Sequence, residues 1–529
     1  MSTDAIELDN LFNNRSPIEA KSFAKVDWLY LNDINNMAYT NTDIRFDTLS
    51  LREQWVVWAE SFLVIPLIVT GTGYGTAANA AKAPYFNTAA QFAIRDCLVS
   101  LIYGLVVKTA TGQVLVNDSS LMFINNLRIL LEKSLNWTRS EGLECGFSKN
   151  TNILSDPTPI DVPFTTAQIA SFTTPAANTA VGITNPSYNS GMAERIRYVV
   201  SNPSVASQSA DTIQFRAIIP LNLIHNFFAQ LDFPVTNLHL QLSFQQAVNY
   251  APCPYKAYSV GPTVTALPTS VAIDTSLGYG CQLYYKKVSF KPEDAVRVAE
   301  LMRTGFTTKF SYLVTDYYEP AGYQNHAYSS SETVQFEITS SAIKPVKVYI
   351  IVSPAGTSAS FAGSATEVPS LKTAIGTAGF PENSSFLTSV GTYSNANVYV
   401  NNDRAYENDL IYPIDFWQQV KESFSCSDHN DSDHIYNYQD FLALSRIGIF
   451  DVSRVKSQLT SPNSAVRLYF KGTAGPLIKL PISQVLTSAG VVTNNQITVT
   501  NVNYIVLVER EMVCSIQTSS ASSQVIIGE

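Results

Sequence analysis

Residues 237–245 read NLHLQLSFQ. Leu238, Leu240, Leu242 and Phe244 fall on one side of an extended chain, and Asn237, His239, Gln241 and Ser243 on the other. Successive side chains of a strand point to opposite faces, so this alternation is a strand with one dry and one wet face. The period recurs upstream at 212–219 (TIQFRAII), where Ile213, Phe215, Ala217 and Ile219 alternate with Thr212, Gln214 and Arg216. Downstream it recurs at 306–314 (FTTKFSYLV), 333–338 (TVQFEI), 346–352 (VKVYIIV) and 465–470 (AVRLYF). Residues 98–117 read as a hairpin turning at Thr111-Gly112. In 496–508 the apolar phase shifts from Ile497 and Val499 to Val502, Tyr504, Val506 and Val508. One extra residue near Thr500-Asn501 would do this, which predicts a β-bulge.

Helices are few. Residues 119–135 place Leu121, Ile124, Leu127, Leu131 and Leu135 on one stripe behind a serine cap. Residues 292–304 open with Pro292, Glu293 and Asp294 and stop before Gly305. Residues 413–424 repeat the device with Pro413 and Asp415, and a short helix is expected inside 221–231. Many strands, few helices and long connections fit antiparallel sandwiches or jelly rolls; alternating βαβ units would need helices between most strands.

Punctuation divides the chain. Residues 1–45 are polar and read as an N-terminal arm. Four prolines (252, 254, 262 and 268) make 251–280 a linker between two β-rich halves, 46–250 and 281–514. Long Thr/Ser/Asn/Ala-rich loops are expected at 147–209 and 353–396, a helical insertion at 412–446, and a tail at 515–529. No repeat of 20–50 residues is visible, which argues against solenoids and propellers.

Composition narrows the function. The 529 residues are 46% apolar, enough for sizeable cores, but only 15% charged, against about 25% in an ordinary soluble protein. Low charge points to surface covered by partner subunits. The net charge is −9 without any Lys/Arg cluster, which disfavours a surface built to neutralise phosphates. Six cysteines (97, 145, 253, 281, 426 and 514) lie at wide, irregular spacings, neither a disulfide framework nor a zinc ribbon. MSTDAIELDN has no apolar leader core, and the apolar run Phe62–Val69 is too short to span a bilayer.

Two motifs invite chemistry. Gly71, Gly73 and Gly75 follow the apolar run, where a glycine turn can cradle phosphate. The spacing is G-x-G-x-G, Pro84 follows, and no βαβ unit forms, so a loop between strands is preferred. The stretch 426–434 (CSDHNDSDH) gathers Cys426, His429, His434 and three aspartates. As an EF-hand it fails, with Asp433 where glycine is required and Gln439 where the bidentate glutamate belongs. A solvated acidic loop is preferred. His225, His239 and His326 are isolated, and Phe227-Phe228 reads as core. No catalytic, cofactor-binding or metal-ligating residue is assigned, and no cofactor is expected.

The run 93–135 (AIRDCLVSLIYGLVVKTATGQVLVNDSSLMFINNLRILLEKSL) resembles the first barrel of double jelly-roll major capsid proteins of the virophage, Polinton-like virus and adintovirus type. Ile219-Pro220-Leu221, Phe227-Phe228, Leu231-Asp232, Pro234-Val235 and Asn237 are similar to a block of that family. The segment 411–453 resembles its helical insertion followed by a strand ending Phe450-Asp451-Val452-Ser453. The resemblance spans about residues 50 to 510. It implies a mainly β fold of two tandem antiparallel jelly-roll barrels and a structural, non-enzymatic role. It further implies homotrimers with six barrels around the axis, tiling an icosahedral shell around double-stranded DNA without sequence-specific binding. Penton and other minor capsid proteins would be partners, and the chain would assemble in the host cell and reside in the virion. The composition leaves two alternatives open: a β-sandwich carbohydrate-binding or adhesin module, and a β-rich hydrolase.

Overall fold

The computed structural model describes residues 23–39, 43–71, 92–119, 121–151, 189–201, 212–248, 252–254, 268–355, 359–361, 364–366, 389–423, 435–460, 464–478, 482–486, 492–496, 501–518 and 523–528. The first barrel is built from β1 (Phe23–Asn32), β2 (Asp43–Asp47), β3 (Trp55–Gly71), β4 (Ile102–Thr109), β5 (Val114–Asp118), β6 (Thr212–Pro220), β7 (Leu240–Gln246) and β8 (Gln282–Phe290). Helix α1 (Leu121–Glu132) follows β5, and two single turns, α2 (Leu221–Ile224) and α3 (Asn226–Ala229), follow β6. Helix α4 (Pro292–Thr304) leads to the second barrel.

That barrel comprises β9 (Phe306–Tyr318), β10 (Thr333–Ala342), β11 (Pro345–Ala355), β12 (Tyr393–Val400), β13 (Asp403–Arg404), β14 (Gly448–Asp451), β15 (Val466–Ala474) and β16 (Asn501–Thr518). Helices α5 (Pro413–Ser423) and α6 (Tyr438–Ala443) precede β14, and α7 (Lys456–Thr460) follows it.

Each barrel has the same two sheets. In the first the orders are β1-β8-β3-β6 and β2-β7-β4-β5; in the second, β9-β16-β11-β14 and β10-β15-β12-β13. Counted within each barrel, both read 1-8-3-6 and 2-7-4-5, all pairings antiparallel. Two four-stranded sheets interleaved by Greek-key connections are a jelly roll.

Alternation places the core as the sequence reading expected. Leu240, Leu242 and Phe244 of β7 and Phe215, Ala217 and Ile219 of β6 are buried. Pro66 sits inside the central strand β3 without breaking a ladder bond. Its carbonyl accepts the Asp274 N–H (2.8 Å), and its missing donor falls where one partner segment ends at Ile273 and the next begins at Gln282. The hairpin at Thr111-Gly112, helices 292–304 and 413–423 and the short turns in 221–231 are present.

The expected boundaries move. The arm 1–45 contains β1, paired along its length with β8, and the start of β2. The linker 251–280 contains Pro268–Ile273, which extends the sheet along β3. Gln282–Phe290, assigned to the second half, closes the first barrel. In a jelly roll the first and last strands lie side by side, so the boundary falls at α4. The tail likewise continues β16 to Thr518 and pairs through Ser523–Gly528. Helix Ser190–Ser201 lies in the segment expected to be loop. The expected bulge near Thr500-Asn501 falls at the edge of residues that are not described. Val492–Gln496 pairs with Ile482–Leu486, β16 starts at Asn501, and 497–500 lie outside the described residues.

Candidate functional site: the seam between the barrels

The two central strands of the second barrel's 1-8-3-6 sheet are buried on both faces over much of their length. In β11, Val348 through Val352 are fully buried, as are Tyr504 through Val508 of β16. Inner-face residues fill the barrel. The outer face carries two cross-strand rows, Tyr317–Leu507–Tyr349 and Thr315–Glu509–Lys347, and the first barrel covers them.

The cover comes from α1, the end of β5 and the turns after β6. Phe123 of α1 stacks on Tyr317 (5.5 Å between centroids). Phe227 of α3 packs edge-on against Tyr312 (5.2 Å) and lies 5.9 Å from Phe310. β9 is an edge strand, and two of its outward N–H groups are capped by side chains of the other barrel. Leu313 N donates to Asn226 Oδ1 (3.0 Å) and Thr315 N to Asp118 Oδ2 (3.2 Å). Tyr312 Oη donates to the Leu115 carbonyl (2.5 Å). An edge occupied in this way cannot template another chain.

A buried charge pair lies beneath. Arg128 Nη2 donates to Glu509 Oε1 (2.8 Å), and Tyr349 Oη donates to the other carboxylate oxygen (2.7 Å). The side chains of Arg128 and Glu509 are 12% and 2% exposed. Burial holds the Tyr349 phenol far above its ordinary pKa, so it remains a donor. Burial also raises the Glu132 carboxyl, with Arg128 pulling the other way. Such a pair fixes register more than it adds stability. Away from this centre, Lys149 Nζ reaches Asp440 Oδ2 (2.5 Å), tying the first barrel to the capping box of α6.

His225 belongs to the same seam. Its Nδ1 accepts the Phe227 N–H (3.0 Å), which puts the ring proton on Nε2, 3.7 Å from Asp118 Oδ2. Burial pushes the imidazole pKa down, and the neighbouring Asp118 only partly offsets this. Among the described residues, the other two histidines also have acidic partners: His239 with Asp47 and His326 with Glu332, each at 2.7 Å. Phe227 and Phe228 are core, as expected. Gly71 ends β3, while Gly73, Gly75 and the whole of 426–434 lie outside the described residues.

Sequence reasoning missed Arg128, Asp118 and Glu509. The available signal was a lone arginine inside the apolar LMFINNLRILLE and an acid ending the apolar IVLV run.

Two side-by-side barrels of identical strand order define a double jelly-roll protein, and this chain has that fold. No protein-family model matches the chain, and no curated protein is significantly similar to it in sequence. Among solved structures it is similar to a chain in the cryo-EM structure of the Sputnik virophage. The TM-score is 0.54 at 11% identity, covering 98% of this chain and 91% of that one. The crystal structure of the mavirus major capsid protein also resembles it, with a TM-score of 0.47 at 9% identity over 98% and 94% of the two chains. A third is the PBCV-1 protein VP54 fitted into a reconstruction of Sputnik, with 0.44 at 10% identity over 97% and 100%.

Proposed function

We propose that this chain is the major capsid protein of a double-stranded DNA virus or virus-like element of the virophage type. Three copies associate into a block of six barrels, and these blocks tile an icosahedral shell enclosing the genome. The observation that carries this reading is the doubled barrel itself, shared along 98% of the chain with a protein of a virophage structure. Its mechanism is geometric, because a rigid block with edges satisfied by its own second barrel presents fixed faces to its neighbours. The low charge of 15% suits faces that become buried. The net charge of −9 suits a wall that encloses DNA without binding its sequence. Penton and minor capsid proteins would complete the shell, which assembles in the host cell. Light scattering on the size-separated full-length protein tests this. A mass of about three times the 58.0 kDa chain, or closed shells, is expected. A monomer at micromolar concentration would overturn the reading.

A further inference from the structure

Three groups of the first barrel hold β9 in the seam, and each is tied to one histidine. Asn226 Oδ1 caps Leu313 N, Asp118 Oδ2 caps Thr315 N, and Phe227 packs on Tyr312 and Phe310. His225 immediately precedes Asn226 and Phe227 in the chain. It is the N-cap of α3, with extended backbone (φ −152°, ψ 140°), and its Nδ1 accepts the Phe227 N–H at 3.0 Å. On the other side of the ring, Nε2 lies 3.7 Å from Asp118 Oδ2, the same oxygen that caps Thr315. The ring stands against Tyr312 of β9, with centroids 6.3 Å apart at 65°, and the residue is 1% exposed.

The usual N-cap residues are Ser, Thr, Asp and Asn, whose side-chain oxygens go on accepting in mild acid. An imidazole accepts only while it is neutral. A second ring proton must sit on Nδ1, on the lone pair that now receives the Phe227 N–H, so the cap becomes donor against donor. The same proton puts a full charge beside Asp118. A charge-assisted bond from Nε2 then competes for the oxygen on which Thr315 N depends. The groups that face the ring come from three elements: Asp118 at the end of β5, Arg128 on α1 and Tyr312 on β9. Burial is the strongest influence against a charge on the ring, Arg128 adds repulsion, and Asp118 favours the charge. The Tyr312 phenol, raised by its own burial, stays neutral.

We infer that His225 is a proton-operated latch on the seam: on taking up one proton it releases the α3 cap and the Thr315 cap together, and β9 loses its cover while both barrel interiors stay folded. The surroundings keep the change local. The carbonyl of Ile224, just before the latch, is held by Asn125 Nδ2 of α1 at 2.7 Å. Just after it, Phe228 is fully buried and packs on Trp58 inside the first barrel. The far edge of β9 remains paired with β16 from Phe306 to Tyr318. The Arg128–Glu509 pair still joins the two barrels, so the seam loosens without dividing the chain. The latch works within one chain and goes beyond the capsid reading. Taken with that reading, it makes every block of a shell softer in mild acid.

The test is hydrogen exchange of the full-length protein, resolved to single amides by electron-transfer fragmentation, in a series from about pH 7.5 to about pH 5. After correction for the intrinsic exchange rate, protection at Phe227, Leu313 and Thr315 is expected to fall just below pH 6.5, by up to about tenfold per pH unit. The β9 amides bonded to β16, and those of β7 in the first barrel, are expected to keep theirs over the same step. His225→Asn supplies an amide oxygen that can accept from the Phe227 N–H and takes no proton in this range. In that variant protection at Leu313 and Thr315 should stay level through pH 6.5. A variant that loosens as the wild type does would overturn the latch, and so would a wild type whose protection never falls. Should His225→Asn not fold at neutral pH, the wild type decides alone. Loss at the three capped amides ahead of the ladder amides supports the latch, and loss of both sets together overturns it. A chain that runs as a monomer would sink the capsid reading and leave this test as it stands.

Discussion

Arg128→Met should be among the most destabilising single substitutions in this chain. It leaves the Glu509 carboxylate, 2% exposed, with the Tyr349 hydroxyl as its remaining hydrogen-bond donor among the contacts described above. Lys347 shares the cross-strand row, but its ammonium is held by the Ser423 carbonyl at 2.6 Å. Breaking a buried pair in this way costs about 3–5 kcal/mol. Glu509→Gln is milder. The amide keeps the shape and can still accept from Tyr349, and Arg128 retains the nearby carboxyl of Glu132, so a cost of about 1–3 kcal/mol is expected. In the double variant no charge is stranded on β16. Its cost should fall short of the sum of the singles by about 2–3 kcal/mol, a coupling in the range of directly contacting residues. Urea unfolding followed by far-ultraviolet circular dichroism measures all four proteins, at one fixed chain concentration because association shifts apparent stability. Additivity to within about 0.5 kcal/mol would refute the claim that these two groups are energetically joined across the seam.

Two further outcomes follow from the same interface. His225 has a folded pKa below its ordinary 6.5 because it is buried, so below that pH the unfolded chain takes up a proton that the folded chain refuses. Its contribution is therefore intact above pH 6.5 and lost as the pH falls below it. The groups facing it are Asp118 and Arg128, and His225→Asn should flatten the slope of stability against pH just below 6.5 by as much as one proton. An unchanged slope would show that the ring is protonated in the fold. Tyr312→Phe keeps the aromatic contact with Phe227 but leaves the Leu115 carbonyl unpaired. About 1–2 kcal/mol should be lost in the same urea titration, and no loss would mean that water reaches this carbonyl.

What could be read from the sequence was whatever one strand or helix decides alone. The alternation in β6 and β7 and the Pro-first, Gly-last frame of α4 are local, and each appears where expected. The resemblance supplied the pairing of two barrels, which periodicity does not reach. Missed features depended on partners distant in the chain. β1 (FAKVDWLYLN) has no clean alternation, because it is exposed on both faces in one chain. It therefore read as arm. In β11 the sequence VKVYIIV alternates weakly, because the face opposite the core is dry as well. Arg128 looked like a lapse in an apolar stripe, since its partner lies 381 residues away.

That separation bears on how the molecule comes together. The first barrel cannot close until β8, ending at Phe290, pairs with β1, whose first residue is Phe23. Long-range pairing of this kind is slow, because the loop must be closed before the contact is gained. Even when closed, the barrel presents Phe123, Phe227 and Arg128 on a face whose cover, β9 and β16, is made later, β16 last of all. A first barrel standing alone would thus carry an apolar face with a buried-type cation at its centre. The second barrel alone would expose the edge of β9 together with the unpaired Glu509. Neither half is a finished surface, and the ionic pair is satisfied in only one relative placement of the two. An apolar seam would permit sliding; the Arg128–Glu509–Tyr349 cluster and the two side-chain caps on β9 specify a register. In the assembly proposed above, a few degrees of freedom between the two barrels would be multiplied from copy to copy. The polar core of the seam is therefore best understood as fixing shape, with stability supplied by the two barrel interiors.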